Sequence, residues 1–287
     1  MRRTILVLIS LFCLITFSTA KAHADQVTIV VTSAAGPNPS SIQTAVDTFR
    51  GILGNPNNGN NPGPLPSGRR EINWDGGGTT TTVSSTPFAG FQVTRGALFT
   101  TAGTGFVQAP PSGLATTFAN ATYNTIFQTF SPARLFAVIG SNVMDVTFSI
   151  PGAPGVAALT SGFGAVFSDV DLANITTLQF FDVNNDSLGI FSVPTADNGL
   201  SFLGVSFGVP IVSRVRITLG NSPLGPNDGG DTDVVAMDDF IFGEPQAVPE
   251  PATLILFGSG LALGGRMLRR QKKVGRVNLN ADLVRRS

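Results

Sequence analysis

The chain has 287 residues, 42% hydrophobic and 13% charged, with 33 Gly, 19 Pro and 22 Phe against one Trp and one Tyr. Gly and Pro are too few for a collagen-like or low-complexity chain, and the apolar fraction is too high for a wholly disordered one. The formal charge of zero hides an asymmetry: residues 25–250 carry seven basic against 17 acidic residues, a net of −10, which excludes nucleic acid as a partner and suits divalent cations.

Residues 1–24 have the order of a secretory signal helix. Arg2 and Arg3 form its basic start, Ile5 to Phe17 its apolar stretch, and Ala22-His23-Ala24 a cleavage site before Asp25, with Ala22 and Ala24 as the small residues it needs. Phe12 precedes Cys13 where a lipoprotein signal needs a small residue, so no lipidation is expected. Cys13 and His23 are the only cysteine and histidine, and both fall in this segment. The exported body then has no Ser-His-Asp or Cys-His system, no zinc site of the usual type, no His-ligated haem and no disulfide. Its available chemistry is that of oxygen: carboxylates, hydroxyls and backbone carbonyls.

Residues 25–246 are long enough for one β domain. Val27 to Val31 predicts a strand. Ser40 or Ser41 then caps a helix whose Ile42, Ala45, Val46, Phe49, Ile52 and Leu53 recur at helical spacing up to Gly54, an amphipathic helix lying on a sheet. Asn55 to Gly68, rich in Asn, Pro and Gly, is a loop. Beyond it the sequence reads as β throughout. Met144 to Ile150 and Arg214 to Leu219 alternate with period two, and Gln179 to Phe181 and Leu188 to Val193 flank a turn over Asp182 to Ser187. Ala165 to Phe167, Phe202 to Phe207 and Val234 to Phe242 add further strands. With no crossover helices between them, the expected fold is mainly β: an antiparallel β-sandwich of jelly-roll type with one N-terminal helix.

The C-terminal segment has a specific order of parts. Val248-Pro249-Glu250-Pro251 precedes an apolar run from Ala252 that reaches about Leu268 as a membrane helix if Arg266 snorkels, and Arg266, Arg269, Arg270, Lys272 and Lys273 follow as a basic stop. This order over residues 247–273 resembles the PEP-CTERM sorting signal of exported bacterial proteins. The resemblance implies an exosortase-type processing enzyme, a Gram-negative cell, passage through the inner membrane, and delivery to the envelope or outside after removal of the tail near Pro249-Glu250-Pro251. Residues 274–287 continue past the point where such signals usually stop. Residues 160–243 resemble the uncharacterised exported β-sandwich domains that often precede this signal, through Gly162-Phe163-Gly164-Ala165-Val166-Phe167-Ser168-Asp169-Val170-Asp171 and Met237-Asp238-Asp239-Phe240-Ile241, with Gly68 to Asp75 as a second recurring block.

Chemistry concentrates on aspartates. Strict alternation in Val234 to Phe242 puts either Asp238 or Asp239 on an apolar face, where a carboxylate needs a cation, an arginine or backbone donors. Arg214 and Arg216 are one set of partners; structural calcium held by Asp238 or Asp239 with Asp169 and Asp171 is the other. Asp228, Asp231 and Asp233 form a second cluster in a Gly-rich loop. Asp182, Asn184 and Asp186 open like an EF-hand loop, but Ser187 and Val193 stand where Gly and Glu belong, so turn chemistry explains them better. Trp74 alternates with Ile72 and is expected in the core, and Thr79 to Thr82 is too short for an ice-binding ladder. The function expected is a non-catalytic exported protein of the cell envelope or extracellular matrix, associated with exopolysaccharide. The alternative is a glycoside hydrolase, for which Glu71 and Glu244 are the body's glutamates outside the sorting motif.

Overall fold

The computed structural model describes residues 27–249. The secretory segment with Ala22 and Ala24, Glu250 and Pro251 of the sorting motif, the expected apolar helix 252–268, the basic stop from Arg266 to Lys273 and the extension 274–287 lie outside them. Among the described residues no helix is long and apolar enough to cross a membrane.

The antiparallel sandwich is borne out. The strands are β1 Val30–Gly36, β2 Arg69–Ile72, β3 Thr82–Ser85, β4 Ala97–Thr101, β5 Gly105–Ala109, β6 Leu135–Ile139, β7 Val143–Ile150, β8 Ala153–Leu159, β9 Gly162–Val170, β10 Thr177–Phe181, β11 Ser187–Ser192, β12 Ala196–Ser206, β13 Arg214–Thr218, β14 Ala236–Gly243 and β15 Gln246–Ala247. One sheet runs β1-β12-β9-β14-β6-β5-β3 with β2 also on β14; the other runs β11-β10-β13-β7-β8-β15 with β4 also on β7. The chain passes repeatedly from one sheet to the other, at β3/β4, β4/β5, β6/β7, β8/β9, β9/β10, β11/β12, β12/β13, β13/β14 and β14/β15, the jelly-roll habit. The first strand is shifted: Val27 to Ile29 lie outside it and Thr32 to Gly36 extend it.

The main core lies between the sheets, where Phe163, Phe167 and Phe240 of the first meet Val146, Phe180 and Val215 of the second. Trp74 sits in it, as its alternation with Ile72 predicts, stacked 3.8 Å from the Phe136 ring and edge-on to Phe91 and Phe240. The outer face of the first sheet is covered too. Helix α1, Pro39–Leu53, is capped by the Asn38 side chain, two positions before the first of the serines the sequence pointed to. It buries Ile42, Val46, Phe49 and Leu53 on Val166, Phe202 and Ile241, while Ile52 stays exposed. Short helices α2 Gln92–Arg95, α3 Pro111–Thr117 and α4 Tyr123–Ile126 interrupt what read as continuous β sequence. The last two cover β5 and β6 through Leu114, Tyr123 and Phe127. The Asn55–Gly68 loop is pinned by Arg70, fully buried, whose guanidinium grips Glu244 at 2.6 and 2.7 Å and donates to the Gly59 and Asn61 carbonyls. Glu244 is therefore a structural partner.

Candidate functional site

The strand carrying the two adjacent aspartates departs from alternation. Opposite β9, Met237 faces Phe167 but Phe240 faces Ala165, so β14 has one extra residue there, a β-bulge. Val235, Met237, Phe240 and Phe242 consequently share the inter-sheet core, whereas Ala236 and Ile241 pack outward under the helices. Both aspartates leave the core instead of one pointing into it.

Arg214 and Arg216 are not their partners: both pair with Asp145 of β7 at 2.9 Å, as the register Arg216 opposite Asp145 dictates. Asp238, fully buried, accepts hydrogen bonds from the Phe130 and Ser131 amides at 2.6 and 3.2 Å. Asp239 accepts the Ser131 hydroxyl at 2.6 Å and lies 3.7 Å from Arg50 Nη2. Burial, and then the neighbouring Asp239 charge, push the Asp238 carboxyl well above its ordinary range; burial also raises Asp239. Asp75, on the other side, accepts the same Ser131 hydroxyl at 3.0 Å. One hydroxyl proton serves one carboxyl at a time, and the burial that raises the adjacent Asp238 and Asp239 favours a proton shared between those two.

Asp239 opens into a cleft of about 510 Å³ between α1, β2, α2 and the 130–132 loop, lined by Gln43, Arg50, Asn57, Glu71, Asn73, Arg95, Phe130, Ser131, Pro132 and Asp239. Glu71 is its hub. It accepts Arg50 Nη2 at 2.8 Å and Arg69 Nε at 2.6 Å through its carboxylate, and Arg95 Nε at 2.9 Å through its backbone carbonyl. Arg50 thus stands between Glu71 and Asp239, one cation against two acids. Neither Glu71 nor the bulge was picked out as part of a shared site by sequence. The signal that could have found it is the doubled aspartate, which suits a bulge better than a ladder.

The four-aspartate calcium set is likewise divided. Asp169 and Asp171, at the end of β9, meet Asp228 of the Gly-rich loop, each offering an oxygen within 4.8 Å of the other two. Asp239 belongs to the cleft, and Asp238 is buried beside it. Asp169 is 2% exposed and accepts the Asn198 amide at 2.8 Å; Asp171 Oδ1 is buried without a hydrogen-bond partner. Asp233 backs the group by accepting the Asp171 and Leu172 amides. Burial first, then neighbouring carboxylates, raise Asp169 to about 8 and Asp171 to about 6. An all-oxygen cluster of this kind suits a hard cation, with Asp169, Asp171 and Asp228 as its ligands. In the Asp182 turn, Asp182 accepts the Asn184 and Asp186 amides at 2.8 Å, the turn chemistry expected.

Residues 247–271 match the family described as the PEP-CTERM protein-sorting motif. The motif marks an exported chain that is anchored transiently in the membrane and processed by an exosortase-type enzyme. No curated protein and no solved structure matches the chain.

Proposed function

We propose that this exported chain is a non-catalytic protein of the cell envelope or extracellular matrix, and that its body holds polysaccharide in the cleft beside α1. The lining supports the reading. Eight of its ten residues present amide, guanidinium, hydroxyl or carboxylate groups, and only Phe130 and Pro132 are apolar. A site for an apolar small molecule has the reverse composition. Dense, fixed donors and acceptors suit a ligand made of hydroxyls.

The same cleft favours one second reading, a carboxylate-dependent glycoside hydrolase, because Glu71 and Asp239 both line it and burial raises Asp239, as a general acid requires. Arg50 weighs against it by lying between the two acids, where a glycosidic bond would need to enter. One experiment serves both readings. Full-length chain in mild detergent is incubated with the producing cells' exopolysaccharide, and retention and reducing ends are measured together. Retention that weakens in Gln43→Ala and Asn73→Ala, with no new reducing ends, is the expected result. Reducing ends that vanish in Glu71→Gln would replace binding with hydrolysis, and absent retention overturns the polysaccharide reading.

A further inference from the structure

We infer that the cleft selects an acidic saccharide, a uronate or another carboxylated sugar, whose carboxylate docks on Arg95. The inference rests on the polysaccharide reading and deepens it. The body has seven arginines and no lysine across residues 25–250, against 17 acidic residues. Four of the seven, Arg50, Arg69, Arg70 and Arg95, gather around this one cleft. Three of them bond to Glu71, and the charge of Arg70 is felt at Arg95. In a strongly acidic protein such a concentration of cations marks the place where an anionic ligand meets the least repulsion.

Most of this charge is already answered. Arg50 pairs with Asp47 and Glu71, Arg69 with Glu71, and Arg70 with Glu244. Arg95 is different: among the described residues it makes no ion pair. Its Nε donates to the Glu71 carbonyl and its Nη1 to the Asn60 side chain, both neutral acceptors, and its Nη2 has no acceptor among the described residues. Burial, and then the nearby Arg70 charge, lower its pKa, outweighing the opposite pull of the Glu71 carboxylate. A planar guanidinium fixed at Nε and Nη1, with a donor left over in the wall of a polar cleft, is the arrangement that takes up a carboxylate.

The test uses full-length chain and three polymers in moderate salt: polygalacturonate, its carboxyl-reduced counterpart with the same backbone, and dextran sulfate. EDTA is present, since calcium bridges an acidic polymer to an acidic protein without any arginine. Polygalacturonate should bind roughly tenfold or more tighter than the reduced polymer, the scale of one charge-assisted hydrogen-bonded contact. Arg95→Gln should bring the two together, and a melting temperature equal to that of the wild type shows that the variant is folded. Arg95→Lys should retain part of the preference. Equal binding of both polymers overturns the acidic selectivity and leaves the cleft reading standing. A preference that appears only with calcium, or dextran sulfate binding as tightly as polygalacturonate and indifferent to Arg95→Gln, also overturns it. No binding to any polymer defeats the polysaccharide reading along with it.

Discussion

Asp171 offers a carboxylate oxygen within 4.8 Å of Asp169 and Asp228, while its Oδ1 has no hydrogen-bond partner. Without a cation, repulsion and burial are relieved by protons, which is why Asp169 is raised to about 8 and Asp171 to about 6 from an ordinary 3.8. The folded chain therefore holds protons that the unfolded chain releases. Stability contributed by these groups is full below about pH 4 and falls as pH rises toward 8. Melting temperature in EDTA should decline across that window, and calcium should restore it at pH 8 far more than at pH 5, where protons compete. Asp171→Asn should flatten both responses. A wild-type decline that calcium does not reverse would show that the cluster binds no calcium. Sequence found Asp169 and Asp171 but assigned them the wrong third partner. Which loop reaches the end of β9 depends on strand order, and no local pattern carries that.

At the scale of elements, the packing of α1 depends on an absence of side chains. Gly164 and Gly204 lie directly opposite each other on β9 and β12, beneath Phe49 of the helix. A Cβ on Gly204 would sit 2.6 Å from the Phe49 ring, and one on Gly164 2.8 Å from it. Gly204→Ala should therefore cost about 1–3 kcal/mol by forcing the ring and helix outward. Urea unfolding of Gly204→Ala, Phe49→Leu and the double variant checks this: the combined loss should be smaller than the sum, because the smaller side chain makes room. Strict additivity would mean that the ring and the glycine pair do not interact. Helix α1 was legible because its apolar face repeats at helical spacing, and β7, β13 and the β10–β11 hairpin because one of their faces is less buried. Residues 97–139 were not. Strands β5 and β6 are buried almost throughout, so alternation has nothing to report, and the turns of α3 and α4 are too short to show a period. The cleft was illegible for a related reason, since the bulge in β14 reverses the faces that a ladder would assign.

For the molecule as a whole, the cleft and the approach to the sorting motif lie on different layers. The cleft belongs to the sheet that contains β2 and β14, under α1, whereas the chain leaves the body from β15, paired with β8 in the other sheet. Among the described residues, the last ties to the body are the pairing of Ala247 with Ala158 and the hydrogen bond from Gln246 Nε2 to the Leu65 carbonyl. Pro249 is already exposed. The address and the body should therefore be separable. Replacing Pro249, Glu250 and Pro251 together by Ala should leave the melting temperature of the body unchanged, within the roughly 0.5 kcal/mol typical of surface substitutions. The same change should block exosortase-type processing, so that the unprocessed chain accumulates in the membrane fraction and is lost from the envelope exterior. Cell fractionation with mass measurement of the recovered chain distinguishes the outcomes. Normal delivery of the triple variant would show that the motif is not this protein's address. A drop in melting temperature would show instead that residues after Ala247 help to hold the second sheet together, and that export and folding are coupled.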